Sequence, residues 1–168
     1  INQSWSMDFM SDSMVGDRKF RTLNIMDDCT REVLAIEIDT SLSSKRVIRT
    51  LDRIIEQRGK PVAIRTDNGP EFTSKDLELW SIDKGIKLQF IQPGKPMQNG
   101  FIERFNRLYR EAILDAYLFF DLNEVRILTE EWIEEYNNHR PHESLNNLIP
   151  TEWKVNRIKN DYSLIKTV

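Results

Sequence analysis

The sequence predicts an α/β fold, with a mixed five-stranded sheet flanked by helices in the order βββαβαβα and an added C-terminal helix. Three observations lead to this prediction. The first part of the chain alternates apolar and polar residues with the period of two that strands show. The middle part alternates short apolar runs with segments of helical spacing. No repeat, low-complexity segment or linker divides the chain, so we expect a single domain over residues 1–168.

The N-terminal part is predicted to be a meander of three strands. In the first strand, large apolar side chains alternate at Trp5, Met7 and Phe9. Asp8 is then expected on the opposite face of the sheet, because successive strand side chains point to opposite faces. Residues 20–26 and 33–38 have the composition of two further strands, joined by turns.

The middle part is predicted to contain two helix and strand pairs. Residues 47–55 have the spacing of an amphipathic helix, behind Ser43 and Ser44, which can cap its first amide groups. Gly59 ends this helix. The next predicted elements are an apolar strand at 61–64, a helix at about 74–84 closed by Gly85, and a short strand at 87–91.

Two helices are predicted after a loop at 93–100 that is rich in proline and glycine. The apolar side of the first helix is predicted to consist of Phe101, Phe105, Leu108 and Ala112. Its opposite side carries Glu103, Arg107 and Arg110. The last helix is predicted at about 123–138.

Composition narrows the class of protein. One cysteine, Cys29, allows no internal disulfide, so a reducing cytoplasm is expected. No apolar run approaches the roughly 20 residues of a membrane span, so we expect no membrane contact. The chain begins INQSWSMDF, without an initiator methionine, which suggests a fragment of a longer protein.

Charge is distributed unevenly along the chain. The net charge of −3 argues against a dedicated nucleic-acid-binding module. Residues 84–110, however, contain six basic side chains and one acidic side chain, whereas acidic residues prevail afterwards. If the protein binds a polyanion, we expect it to do so through residues 84–110, although a basic run is often a solvated face.

Three carboxylates stand out by position: Asp8 in the first strand, Asp67 after the fourth, and Glu103 after the loop. Each alone could be structural, as a satisfied polar residue, a turn residue or a surface charge. A central first strand that pairs in parallel with the fourth would make Asp8 and Asp67 neighbours. Such a carboxylate cluster suits a hard divalent cation such as Mg²⁺, which takes oxygen ligands.

Four segments carry a resemblance to a known family: WSMDF around Asp8, RTDNGPEF around Asp67, IQPGKPMQNGFIERFN around Glu103, and YNNHRPHESLNNLIPTEW near the end. With 35 residues between Asp67 and Glu103, the chain resembles the catalytic core (DDE) of bacterial insertion-sequence transposases and retroviral integrases. The resemblance implies a ribonuclease-H-like fold and a bacterial cytoplasmic enzyme of transposition.

The resemblance also implies the chemistry. Asp8, Asp67 and Glu103 would be the catalytic residues and would bind Mg²⁺ or Mn²⁺, with two ions present when DNA is bound. The ions would support cleavage at transposon ends and transfer of the freed 3′-hydroxyl into target DNA. The implied partners are DNA and further copies of the chain in the active complex. Recognition of the DNA ends is expected from an N-terminal region absent from this chain.

Six residues are candidates for DNA contact. They are Lys95, Gln98, Asn99, Arg104, Arg107 and Arg110. Basic side chains contact phosphates and position DNA without reading its sequence. The alternatives without a role in DNA binding are a solvated basic face for the arginines and a simple connecting loop. The residues alone leave these alternatives open.

His139 and His142 could suggest a zinc site, but further cysteine or histidine ligands are lacking, so we do not favour zinc. Two alternative functions are considered. A ribonuclease-H-like nuclease without strand transfer usually has a fourth carboxylate and lacks the HRPH segment. A non-catalytic DNA-binding remnant should have lost one of the three acids. The sequence therefore favours a polynucleotidyl transferase.

Overall fold

A computed structural model describes residues 1–92 and 99–165, with side chains described as far as residue 159. Its five strands are β1 Ser4–Met14, β2 Arg18–Asp27, β3 Val33–Asp39, β4 Ala63–Thr66 and β5 Lys87–Phe90. They form one sheet in the order β3-β2-β1-β4-β5. The first three strands are antiparallel, and β4 pairs in parallel with both β1 and β5. The predicted mixed sheet is confirmed.

Five α-helices complete the described fold: α1 Ser44–Arg58, α2 Lys75–Lys84, α3 Gly100–Tyr109, α4 Leu122–Asn138 and α5 Pro150–Ile165. Local sequence explains several of their ends. The hydroxyl of Ser74 accepts the amide of Leu77 at the start of α2, and Gly85 ends α2 in the left-handed conformation. Ser43 precedes α1 but makes no side-chain capping bond, contrary to the expectation from its residue type.

The helices form layers on the two faces of the sheet. Helices α1 and α2 cover one face, in a core that includes Trp5, Met7, Leu51, Ile64 and Leu77. Helices α3 and α4 cover the other, in a core that includes Phe20, Phe105, Tyr109, Val125 and Tyr136. The central strand β1 is therefore covered on both faces, and the side of β1 that carries Asp8 faces α3.

The buried side of α3 differs from the predicted one. Ile102, Phe105 and Tyr109 are buried, whereas Phe101 is 44% exposed. The apolar arc of this helix is wide, so spacing alone allowed either edge of the arc to face the sheet, and packing selected the edge with Ile102. Helix α3 then continues as a π-helical turn at Arg110–Leu114.

The C-terminal region contains a helix that the sequence did not predict. Helix α5 begins at Pro150, a residue suited to the first helical position because it lacks an amide proton. Lys154 on α5 forms an ion pair with Glu32, with 3.2 Å between Nζ and Oε2. Across residues 1–92 and 99–165, no helix is both long and apolar enough to cross a membrane.

Candidate active site

Strand pairing brings Asp8 and Asp67 to the same region of the sheet. In the parallel pair of β1 and β4, Ser6 lies opposite Arg65. Continuing this register by two residues places Asp67, just beyond β4, beside Asp8 near the middle of β1. The expected pairing of the first and fourth strands is therefore present, and it makes the two carboxylates neighbours.

The turn after β4 fixes the carboxylate of Asp67. Its Oδ1 accepts the amide of Gly69 at 2.9 Å, which closes a tight turn of the Asx type. A methyl group on Gly69 would lie 3.0 Å from the same Oδ1, so the turn leaves no spare room for a side chain there. Only one oxygen of Asp67 is used in this way, and the second can accept a further ligand.

Aromatic packing holds the TDNGPEF segment against the sheet. Phe72 is fully buried and its ring stacks on Phe9 of β1, with 4.7 Å between the centroids. Arg21 of β2 lies over the other face of Phe9, 4.2 Å from its centroid, and forms an ion pair with Glu71. The segment that carries Asp67 is therefore attached to β1 and β2 by side chains as well as by the backbone.

Glu103 lies in the first turn of α3 and is exposed. Within the described residues its carboxylate forms no ion pair or hydrogen bond. Asn106 lies three residues later on the same side of the helix, and it contacts β1.

A chain of amides supports Asp8. Asn106 Nδ2 donates to Asp8 Oδ2 at 2.8 Å, and Asn24 Nδ2 donates to Asn106 Oδ1 at 2.8 Å. The amide of Phe9 donates to the other carboxylate oxygen of Asp8 at 2.8 Å. Sequence analysis missed both asparagines. The spacing of Asn106 from Glu103 could have suggested the first, but the position of Asn24 depends on the pairing of β1 with β2.

The electrostatics of Asp8 link all three carboxylates. The pKa of Asp8 is raised to about 6, mainly by burial and in addition by the charges of Asp67 and Glu103, which together outweigh the lowering effects of the Phe9 amide and of Asn106. Both other carboxylates are thus close enough to disfavour the charged form of Asp8. A bound cation would relieve this repulsion.

The carboxylates of Asp8, Asp67 and Glu103 suit a hard divalent cation, because such a cation prefers oxygen ligands. Few hydrogen-bond donors of the protein compete for these oxygens. The three carboxylates are not yet gathered around one cation position. Among residues 1–92 and 99–165, no three acidic, histidine or cysteine side chains already converge as a metal site. Cation binding would therefore need the carboxylates to draw together, and exposed Glu103 has the most freedom to move.

The loop candidates for DNA contact receive little support. Lys95 and Gln98 lie outside the residues that the structure describes. Asn99 is described and is only 2% exposed, and its buried Oδ1 has no hydrogen-bond partner in the described part of the chain. This burial argues against the predicted contact between Asn99 and DNA.

The three arginines of α3 and its extension lie in different surroundings. Arg107 is exposed on the same side as Glu103. Arg110 is held by β1, donating to the carbonyl of Ser11 at 3.0 Å and lying 3.4 Å from Asp12 Oδ2. Arg104 lines a pocket on another side of the helix. The structure therefore separates the arginines that the sequence grouped together.

The two histidines also lie in different surroundings. His139 is exposed, with its Nδ1 3.5 Å from Glu135 Oε2. His142 packs edge-on against Tyr136, with 4.7 Å between the ring centroids. Burial lowers the pKa of His142, and the nearby charges of Arg140 and Arg104 lower it further, against the raising effect of a hydrogen bond that the ring donates to the backbone of Tyr136. The HRPH segment thus packs on the α3 and α4 side of the sheet.

Comparison with protein families gives two overlapping matches. A family model described as "Integrase core domain" matches residues 1–96, and a second model with the same description matches residues 84–150. Together the matches include the positions of Asp8, Asp67 and Glu103.

Two similar proteins come from bacterial insertion elements. A protein of IS407 from Burkholderia multivorans is 42% identical over 90% of this chain, and a protein of IS476 from Xanthomonas euvesicatoria is 40% identical over 92%. The chain covers 55% and 45% of those two proteins, so it spans about half the length of the curated relatives it matches.

Solved structures share the fold. The integrase catalytic core domain of HTLV-2, solved in complex with magnesium in a trimeric form, superposes with a TM-score of 0.71 at 18% identity. The superposition covers 90% of this chain and 95% of the HTLV-2 chain. At this level of identity the likeness shows the ribonuclease-H-like fold, which confirms the predicted fold class.

Proposed function

This chain belongs to the integrase core domain family, and from that premise we propose that it is the catalytic core of an insertion-sequence transposase. It cleaves DNA phosphodiesters at the ends of a transposon and transfers the freed 3′-hydroxyl into target DNA. Divalent metal ions, Mg²⁺ or Mn²⁺, support both steps. The similarity to insertion-element proteins over nine-tenths of the chain supports this proposal.

One observation carries the assignment of the site. Asp8 lies at the centre of the sheet, partly buried and under the repulsion of both Asp67 and Glu103. A fold that needed these three carboxylates only for stability would gain by pairing them with cations from its own side chains. The described residues provide amide donors to Asp8 and Asp67 instead, which orient both carboxylates without neutralising them by an ion pair.

The residues divide the chemical work. Asp8, Asp67 and Glu103 would hold the cations, whose positive charge would help to activate an attacking oxygen and to stabilise the leaving oxygen of the phosphodiester. Asn106 and the amide of Phe9 orient the two oxygens of Asp8. The amide of Gly69 orients Oδ1 of Asp67 and leaves Oδ2 without a hydrogen-bond partner among the described residues.

The exposed end of α3 positions the DNA. Glu103 and Arg107 are one helical turn apart on the same exposed side. A phosphate bound by Arg107 would lie close to the carboxylates, where it would align the backbone without reading its sequence. Arg110 can add to this surface only if DNA competes with its contacts to Ser11 and Asp12.

Transposition brings two transposon ends together at the target DNA, so the working complex contains more than one copy of the chain. End recognition then falls to a part of the transposase outside this chain, which fits the net charge of −3. The test below uses a DNA substrate that does not depend on end recognition.

The experiment presents the chain with branched DNA that mimics the product of strand transfer, in Mg²⁺ or Mn²⁺. The wild type is expected to resolve the branch and rejoin the target strand. Asp67→Asn is expected to lose at least about 100-fold of this activity, because even supporting residues of a metal site typically contribute 10–100-fold. Its circular dichroism should stay that of the wild type, because a turn residue is changed and no core volume is lost.

Asp83→Asn provides the matched control, since Asp83 is an exposed carboxylate on α2, away from the three acids. It should keep wild-type activity. Cutting without rejoining would favour a nuclease over a transferase. DNA binding without either reaction, in the full-length transposase as well, would contradict the proposed function and leave a DNA-binding protein.

A further inference from the structure

A second cluster of charge lies beside α3, in a pocket of about 140 Å³ between this helix and the HRPH segment. We call it the arginine pocket, and its charged and aromatic lining includes Arg31, Phe101, Arg104, Arg140, His142 and Glu143. The volume is several times the roughly 30 Å³ that one water occupies in the liquid, so a tetrahedral anion has room. The proposed catalytic chemistry uses none of these residues directly.

The turn between β2 and β3 builds one wall of this pocket. Arg31 in that turn has a φ of 59°, a left-handed conformation that is uncommon for a residue other than glycine. Asp27 holds the turn, since its backbone carbonyl accepts the amide of Arg31 at 2.9 Å and its Oδ1 accepts the amide of Cys29 at 2.8 Å. Unfavourable backbone geometry that is held in this way is typical of binding sites.

The guanidinium of Arg31 is partly buried, and two of its nitrogen atoms are not satisfied within the described residues. It lies over the ring of Phe101, 3.4 Å from the centroid. Its Nε and Nη1 atoms have no hydrogen-bond partner in the described part of the chain, and the same holds for Nε2 of His142. Buried polar atoms without partners are rare in proteins, so three of them around one pocket need an explanation.

Positive charge converges on the same point. Arg31, Arg104 and Arg140 each affect the pKa of both Tyr136 and His142, which places all three guanidinium groups around these rings. Arg104 and Arg140 form no ion pair or side-chain hydrogen bond with any residue that the structure describes. Glu143 is the carboxylate among the lining residues, so the pocket keeps an excess of positive charge.

We propose that the arginine pocket binds a phosphate group of the DNA backbone, at a site separate from the three carboxylates. Arginine forks and an imidazole suit phosphate oxygens, and an anion here would satisfy the buried donors and the converging charges together. The inference rests on the proposed function, since it assumes that the chain acts on DNA.

The geometry of α3 relates the pocket to the carboxylates. Arg104 directly follows Glu103, but each helical residue turns by about 100°, so the two side chains lie on different sides of the helix. A helix with its side chains is about 10–12 Å wide, and successive nucleotides of one strand are about 3.4 Å apart along the duplex axis. The bound phosphate would therefore lie at most about three nucleotides from the cleaved bond.

The first arm of the test uses inorganic phosphate as the probe and the imidazole protons as the readout. The chain has two histidines, so NMR can follow both through a pH titration in phosphate and in chloride at equal ionic strength. Phosphate is expected to raise the pKa of His142, because an anion stabilises the charged ring. His139 is exposed outside the pocket and is the internal reference.

The second arm measures DNA binding as a function of salt. Arg140→Gln removes an exposed pocket charge, and Arg49→Gln makes the same change on α1, on the opposite face of the sheet. Arg140→Gln is expected to weaken binding several-fold for every DNA sequence and to reduce the salt slope by about 0.9, the value for one phosphate contact. Arg49→Gln should leave affinity and slope unchanged.

Each outcome decides the proposal. A phosphate effect on His142 that Arg140→Gln removes, together with the smaller salt slope, supports it. A phosphate effect with unchanged DNA binding would show a site for free phosphate and overturn it, as would the absence of both effects. Normal resolution of branched DNA by Arg140→Gln with an unchanged slope contradicts the pocket alone, whereas a wild type that binds DNA but never resolves the branch contradicts the proposed function alone.

Discussion

Two clusters of like charge lie on different sides of α3, and they are held in different ways. The carboxylates of Asp8 and Asp67 receive amide hydrogen bonds that orient them. In the arginine pocket, Arg31 and His142 keep buried nitrogen atoms that have no partner among the described residues. The first cluster is therefore preorganised by the protein, whereas the proposed anion would complete the second. The same helix can serve both, because it presents several sides to its surroundings.

The largest expected effect tests the preorganised cluster at its exposed member. Glu103→Gln should lower strand-transfer activity by at least about 100-fold, since it removes a proposed metal ligand. Its stability should change by less than about 0.5 kcal/mol, because the side chain is exposed and unpaired among the described residues. Thermal melting and the branched-DNA assay measure the two quantities. Retained activity would remove Glu103 from the site.

The next effect tests the amide support of Asp8. Asn106→Ala should lower activity by about 10–100-fold, the typical effect of losing a residue that orients a metal ligand. It should also cost about 1–3 kcal/mol of stability, because the buried amide of Asn24 loses its acceptor. Asn123→Ala, at an exposed position in the first turn of α4, is the control. Equal activity of the two variants at equal folded fraction would contradict the orienting role.

A smaller effect is expected at the turn that holds Asp67. Gly69→Ala places a methyl group 3.0 Å from Asp67 Oδ1, so the carboxylate must shift by a few tenths of an ångström. Activity should fall by up to about tenfold, since a displacement of about 1 Å can cost about 100-fold. Gly16→Ala strains the backbone, since Gly16 has a φ of 83°, but its methyl group meets no atom within 4 Å. Activity compared at equal folded fraction therefore separates the contact with Asp67 from a general effect of replacing glycine. A larger loss in Gly16→Ala would contradict the explanation.

The DNA surface next to the carboxylates should respond only in binding. Arg107→Ala is expected to weaken DNA binding several-fold for every sequence and to reduce the salt slope by about 1, as the loss of one phosphate contact does. Titrations of labelled duplexes over a range of salt concentrations measure both. Unchanged affinity at low salt would remove Arg107 from the DNA surface and weaken the contrast with Arg104.

The smallest expected effect concerns the side of α3 that faces the arginine pocket. Burial and the surrounding Arg140, Arg104 and Arg31 lower the pKa of His142 in the folded chain, so the unfolded chain binds its proton more readily. This contribution to stability is present above the unfolded pKa of about 6.5 and is lost as the pH falls below it. Between pH 7 and pH 5, the free energy of unfolding measured with denaturant should depend less steeply on pH in His142→Gln than in the wild type.

The same measurement in phosphate sharpens the comparison of the two clusters. An anion in the arginine pocket would reduce the repulsion on charged His142, so phosphate should flatten the pH dependence of the wild type. The variant His139→Gln shows how much of the pH dependence of the unfolding free energy comes from the other imidazole. If neither His142→Gln nor phosphate alters the pH dependence of the unfolding free energy, the position assigned to the His142 ring is contradicted.

The sequence predicted most of the fold because most of its signals are local. Alternation in Trp5, Met7 and Phe9 indicates a strand whatever its partner is. The missed helix α5 and the π-helical turn at Arg110–Leu114 lacked such a signal, because their conformations depend on what they pack against. The prediction that Phe101 lies on the buried side of α3 was wrong for the same reason.

The sequence by itself determined the order of the elements and, through a resemblance in four segments, the three candidate acids. Only the tertiary structure decided that Asn24 and Asn106 support Asp8, and that Arg31, Arg104 and Arg140 surround one pocket. Residues 82 apart, such as Asn24 and Asn106, meet only when strand register and helix packing are settled together. Local spacing does not encode those contacts, because they follow from the free energy of the whole fold.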